Sequence, residues 1–179
     1  MRLLAFLIFA ALLSVGVSPC TPLDSKVFTV TERTLSVDLD PSFELYRGGL
    51  NTSTDGLVSQ DFVINDTEGM GVAFLSIMSI YDEIMMRVSP EVLSQLFLIG
   101  GISEVEERGD VEIGNWTCEA LSGEVVTVHT MATEDERVRQ LGGTYDIAVW
   151  SLDPSTYALM VSLFDRNTTE RVIGTLEVG

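Results

Sequence analysis

The sequence offers few side chains able to do covalent or proton-transfer chemistry. It holds one His, His129, and two Cys, Cys20 and Cys118, among 27 acids. His129 lies in the run Val125-Val126-Thr127-Val128-His129-Thr130, whose alternation predicts a strand with Thr127 on the same face. A Ser-His-Asp or Cys-His device would have to use that imidazole, yet no Gly-x-Ser-x-Gly elbow accompanies it. Cys118 alternates with Trp116 and Ala120, the pattern of a buried, inert thiol. Two Cys and one His cannot form a structural zinc site. Calcium needs only oxygen ligands. Glu104, Glu106, Glu107, Asp110 and Glu112 are expected on one hairpin, and Asp38 and Asp40 beside Pro41. Neither group has the spacing of a calcium loop, so both read as solvated faces, and no metal or other cofactor is expected. Gly48-Gly49, Gly100-Gly101 and Gly142-Gly143 lack the Lys and the spacing of phosphate loops and read as turns or helix stops.

Composition narrows the partners. The 179 residues carry ten bases against the 27 acids, a formal charge of −17. Nucleic acid is excluded, because its binders gather basic groups to release phosphate counterions. Electrostatic docking on an anionic bilayer is excluded on the same ground. With 46% hydrophobic residues the chain is expected to fold, and its length fits one domain.

Leu3 to Val17 form an apolar or small run behind Arg2 and ahead of Ser18-Pro19. Fifteen helical residues span about 22 Å, short of the bilayer core, so residues 1–19 read as an export signal. Its removal takes Arg2 and no acid, leaving nine bases and a formal charge of −18. Cys20 follows directly, in Ser18-Pro19-Cys20-Thr21, and resembles the lipid-bearing Cys of exported lipoproteins. That resemblance implies a diacylglyceryl thioether on Cys20 and a tether through 20–26 to the outer face of the cytoplasmic membrane. Pro19 stands where such signals carry a small residue. Cleavage near Gly16 with Cys20 free, giving a secreted protein, and a Cys20–Cys118 bridge therefore stay open.

A second mark of the exterior is asparagine. Only four are present, and each opens an N-glycosylation sequon, at Asn51, Asn65, Asn115 and Asn167. A glycosylated, acidic, Lys-poor lipoprotein has an archaeal look.

The elements expected to carry these residues alternate strands with short helices. Leu35, Val37 and Leu39 define one face of a strand over 34–40. Further strands are expected at Phe43 and Leu45 and over 57–64, and a two-faced one over 70–81. Ser89, Pro90 and Glu91 start a helix with Val92, Leu93, Leu96 and Ile99 as its buried stripe and Gly100-Gly101 as its stop. Residues 104–128 read as a hairpin or meander turning at Gly109-Asp110 and Gly114-Asn115. A capping box, Thr133 to Glu136, predicts a two-turn helix ending at Gly142-Gly143. Residues 145–150 and 157–164 form an antiparallel pair around Asp153-Pro154-Ser155, and 168–178 suits either a helix or a strand.

This order gives α+β with a mostly antiparallel sheet over a single domain, 27–179. The segments "VDLDPSFEL", "GNWTCEAL", "TYDIAVWSLDPSTYALMVSLF" and "TTERVIGTLEV", set around a capped helix, resemble the PsbP-like family. The resemblance implies a bent antiparallel sheet sandwiched by helices in α/β/α layers. It also implies a noncatalytic accessory or adaptor role. The expectation is a surface-tethered binding domain, monomeric, meeting the membrane through its anchor and an envelope protein through a binding face. The alternative is a secreted hydrolase using carboxylates or a metal.

Overall fold

The computed structural model describes residues 21–23, 27–30, 33–52, 56–69, 71–83 and 85–179. The signal segment and Cys20 lie outside the described residues. Among the described residues eleven strands form: β1 (Thr21–Leu23), β2 (Val27–Val30), β3 (Arg33–Ser36), β4 (Phe43–Thr52), β5 (Leu57–Asp66), β6 (Val72–Ile80), β7 (Val111–Glu119), β8 (Val125–Ala132), β9 (Thr144–Asp153), β10 (Thr156–Ser162) and β11 (Glu177–Val178). The helices are α1 (Pro90–Glu107), the one-turn α2 (Glu136–Arg139) and α3 (Arg166–Thr175).

Two meanders, β4-β5-β6 and β7-β8-β9-β10, join edge to edge where β10 pairs with β6. The resulting sheet has the order β1-β4-β5-β6-β10-β9-β8-β7. A second sheet, β11-β3-β2, lies apart from it, and every pairing in both is antiparallel. The centre of the large sheet has no polar face. All of β10 is buried, and β6 is buried from Ala73 to Ile80.

Each face therefore needs a cover. On the front, Leu93, Phe97, Leu98 and Val105 of α1 pack on Phe74, Met78, Ile147, Val149, Tyr157 and Leu159. On the back, Phe28, Val30 and Leu35 of the small sheet, with Val172 and Ile173 of α3, pack on Phe62, Leu75, Val128, Trp150 and Met160.

This corrects the expected fold class. Strands take 51% of the described residues and helices 21%, in two antiparallel sheets, so the protein is mostly β rather than a helix-sandwiched α/β/α arrangement. The back layer is chiefly a sheet because Leu35, Val37 and Leu39 turn their common face onto the large sheet instead of extending it. The strand carrying them is shorter than the pattern predicts and ends at Ser36, although Val37 and Leu39 stay buried.

Helix α1 departs furthest from expectation. It starts as predicted, with Ser89 Oγ accepting from the Val92 N–H and Pro90 in the first turn. It then runs through Gly100-Gly101 to Glu107, because docking Val105 and Ile102 on the front face outweighs the small helix cost of glycine. Its buried side is Leu93, Phe97, Leu98 and Val105, whereas Val92, Leu96 and Ile99 are 50, 53 and 57% exposed. Apolar residues fall on every side of the helix, so periodicity alone favours no side. Packing decides, with Phe97 edge-on to Tyr157 at 5.5 Å between ring centres.

The predicted turn at Gly114-Asn115 is instead an irregularity inside β7, and the chain reverses at 120–124 around Gly123, whose φ is +84°. The segment over 168–178 is both alternatives in turn, α3 followed by β11. A two-turn helix after Thr133 shrinks to α2, a single turn.

A Cβ built on Gly100 meets nothing within 4 Å. Gly100→Ala should raise stability by about 0.5–1 kcal/mol, a thermal midpoint a few degrees higher. An unchanged or lower midpoint in calorimetry would contradict the packing account of the helix.

Candidate functional site

The most desolvated carboxylate on the front face is Asp61. It sits in β5 directly opposite Ser76 of β6, whose Oγ donates to Asp61 Oδ1 at 2.8 Å. Asn51 of β4 donates its amide to Asp61 Oδ2 at 3.1 Å. Burial pushes the Asp61 carboxyl above its ordinary range, and the two hydrogen bonds pull partly against that. Beside it, Gln60 Nε2 donates to the carbonyls of Gly48 and Gly49 at 3.0 and 2.9 Å, filling the break in the β4–β5 register. The cluster fixes a bulge rather than opening to solvent. A polar Ser59-Gln60-Asp61 triplet inside an otherwise apolar strand was its available sequence signal.

His129 lies on the front of β8 with its Nδ1 2.9 Å from Glu112 Oε1 of β7. That hydrogen bond, ahead of the His129 charge and the Asn115 amide, holds the Glu112 carboxyl below its ordinary range. Asn115 Nδ2 reaches the same Oε1 at the outer limit of a hydrogen bond, 3.5 Å. Cys118 belongs to the back-face core, so the imidazole and the thiol stand on opposite faces of the sheet. Burial pushes the Cys118 thiol up to about 11, and it is free. The pair His129–Glu112 can hold or pass a proton at an exposed sheet edge, but Cys118 cannot serve as its nucleophile.

The acids expected on one hairpin are dispersed. Glu106 and Glu107 end α1, Asp110 follows the helix and accepts from the Tyr145 hydroxyl at 3.0 Å, and Glu112 faces His129. Asp38 and Asp40 do converge, on Arg171 of α3, which donates Nη1 to Asp40 at 2.8 Å and Nη2 to Asp38 at 3.2 Å. A guanidinium already occupies the place where calcium was considered. Arg33 in the same way pairs with Asp153 and donates to Ser155 Oγ at 2.7 Å. Among the described residues, no group of three or more His, Cys, Asp and Glu is placed to hold a metal.

The four sequon asparagines are spread over the molecule. Asn51 is half-buried against Asp61, Asn65 is half-buried in β5, Asn115 is exposed on β7, and Asn167 is exposed in the first turn of α3. Cys20, the expected lipid attachment, lies outside the described residues.

What remains is a surface that sequence reasoning placed in the core. Val92, Leu96 and Ile99 recur at helical spacing along the outer side of α1. Exposed Gln95 and the acids Glu91, Glu106 and Glu107 border the row.

The chain matches no protein-family model, no curated protein and no solved structure.

The raised pKa of Asp61 has a signed consequence. The unfolded carboxyl ionises near pH 4 and the folded one later, so the fold loses stability as pH rises through that interval. Asp61→Asn keeps an acceptor for Ser76 and lacks the ionisation. Denaturant midpoints measured from pH 4 to 8 should show the variant gaining on the wild type as pH rises. Parallel curves would mean that no desolvation penalty exists at Asp61.

Proposed function

We propose that the chain is an exported, noncatalytic domain, tethered through Cys20 at the outer face of the cytoplasmic membrane, that binds another envelope protein through the outer side of α1. The observation that carries this reading is the row Val92, Leu96 and Ile99. Three large aliphatic side chains lie exposed in line there, and contiguous exposed apolar surface marks a contact face. A protein surface suits this face better than anionic lipid, because acids border the row and the whole chain carries −17. No described helix is long and apolar enough to cross a membrane, and in this reading the tether is the lipid on Cys20. A Cys118 thiol buried and pushed up in pKa agrees with Cys20 acting alone.

Two measurements test the two halves. Mass spectrometry of the native protein should find an N-terminal Cys20 carrying diacylglycerol, with Cys118 as the single thiol titrated after denaturation. An unmodified Cys20 or a start at Val17 would sink the anchor. A photo-crosslinker at Leu96 should trap one protein species in native membranes, whereas one at exposed Glu68 should not. Leu96→Gln should weaken that association at least tenfold with stability within about 0.5 kcal/mol of the wild type. Crosslinks to lipid alone, or equal trapping at both positions, would overturn the docking face.

A further inference from the structure

We infer that Asn115, alone among the four sequon asparagines, carries the N-linked glycan, and that the sugar shields the open edge of the large sheet. The inference rests on the export reading, since the transferase and its lipid-linked sugar lie outside the cytoplasm. A sequon works when two groups are presented together, the Asn amide that is modified and the hydroxyl two residues on.

At Asn51 the amide nitrogen faces the buried Asp61 carboxylate, so a sugar on it would have to enter the β4–β5 bulge. At Asn65 the asparagine is half-buried and the Thr67 hydroxyl donates to the Ser42 carbonyl at 2.7 Å. At Asn167 the amide is exposed, but the Thr169 hydroxyl is fully buried, 2.8 Å from Ser162 Oγ. Only at Asn115 are both partners exposed. Asn115 and Thr117 project from the same face of extended β7. The amide's contact is the 3.5 Å one to Glu112, whose oxygen is already engaged by His129 at 2.9 Å. A Cβ at neighbouring Gly114 would meet nothing within 4 Å, so the bulge beside the amide stands in open space.

The place matters as much as the access. β7 ends the strand order, and α3 covers its back through Arg166 stacked 4.6 Å over Trp116. Its outer side is a nine-residue row of backbone groups bearing exposed Val111 and Ile113, 60 and 59% accessible, the form of edge that recruits further strands. A glycan at the middle residue of that row stops a second strand from lying alongside. In the transfer, the Asn115 amide nitrogen attacks the anomeric carbon of an oligosaccharide activated as a polyprenyl phosphate or diphosphate. The C–O bond to phosphate breaks, the phosphate leaves with the electron pair, and the amide gives up one proton.

Peptide mapping of the native protein should show a glycopeptide containing Asn115 and bare peptides at Asn51, Asn65 and Asn167. Thr117→Ala should abolish the modification while Thr117→Ser keeps it, a distinction that a purely structural Thr117 would not produce. Asn115→Gln should lower the mass by one glycan and turn a monomer into a concentration-dependent assembly in sedimentation. A bare Asn115 in a chain that has lost residues 1–19 overturns the inference with export intact. A bare Asn115 in a chain retaining them overturns the export reading as well. An Asn115→Gln variant that stays monomeric overturns the shielding role.

Discussion

The pairing of β6 with β10 is the contact on which the other layers depend. Seven residue pairs, from Thr156 opposite Ser79 to Ser162 opposite Ala73, fasten two meanders that could not otherwise share a sheet. Both strands are apolar on two faces, so the seam can exist only where neither face meets water. That condition explains why α1 is placed between the meanders in sequence: the chain leaves β6, lays an 18-residue helix across the front of β9 and β10, and arrives at the far edge to begin β7. It equally explains why the first and last segments return to build a cover for the back.

Burying so much surface leaves polar groups that must be satisfied locally. Asp61 and Asp110 are the buried acids among the described residues, and each has a hydroxyl donor, Ser76 and Tyr145. Asp38 and Asp40 are held by a base 133 and 131 residues away, which also ties α3 to the segment after β3. Exposed pairs of this kind add little stability. Their value lies in register, because they set where the terminal helix lies against the small sheet.

Local signals proved readable where a feature is decided by neighbours in sequence. The Ser89-Pro90 start of α1, the Gly142-Gly143 stop with φ of +119° and +79°, and the turn at Asp153-Pro154-Ser155 depend on residues within one turn of each other. The two-faced character of β6 was equally plain. Features decided by distant partners were not readable. Nothing around Gly100 announces that Val105 will find a place on the front face, and the alternation of 35, 37 and 39 cannot tell a strand that joins a sheet from one that covers it. Of the candidate site, the four asparagines and His129 were visible as types. Their exposure, and the Glu112 partner of His129 across a bulge, were set by pairing. The outer side of α1 was misread because apolar residues on every side of the helix leave it no sequence-level inside.

Two exposed stretches of surface, the β7 edge and the outer side of α1, are built differently, and the difference bears on their use. The β7 edge carries the devices that keep strands apart: a bulge, Glu112 and Glu119 along its length, an asparagine at its middle, and like charge on any second copy that approaches. The row on α1 has acids only at its borders and none within. A fold that guards a backbone edge with this many devices, while leaving three large aliphatic side chains in line on its most apolar helix, treats the two surfaces as opposites. One is kept from contact, and the other has the composition of a surface meant to be covered.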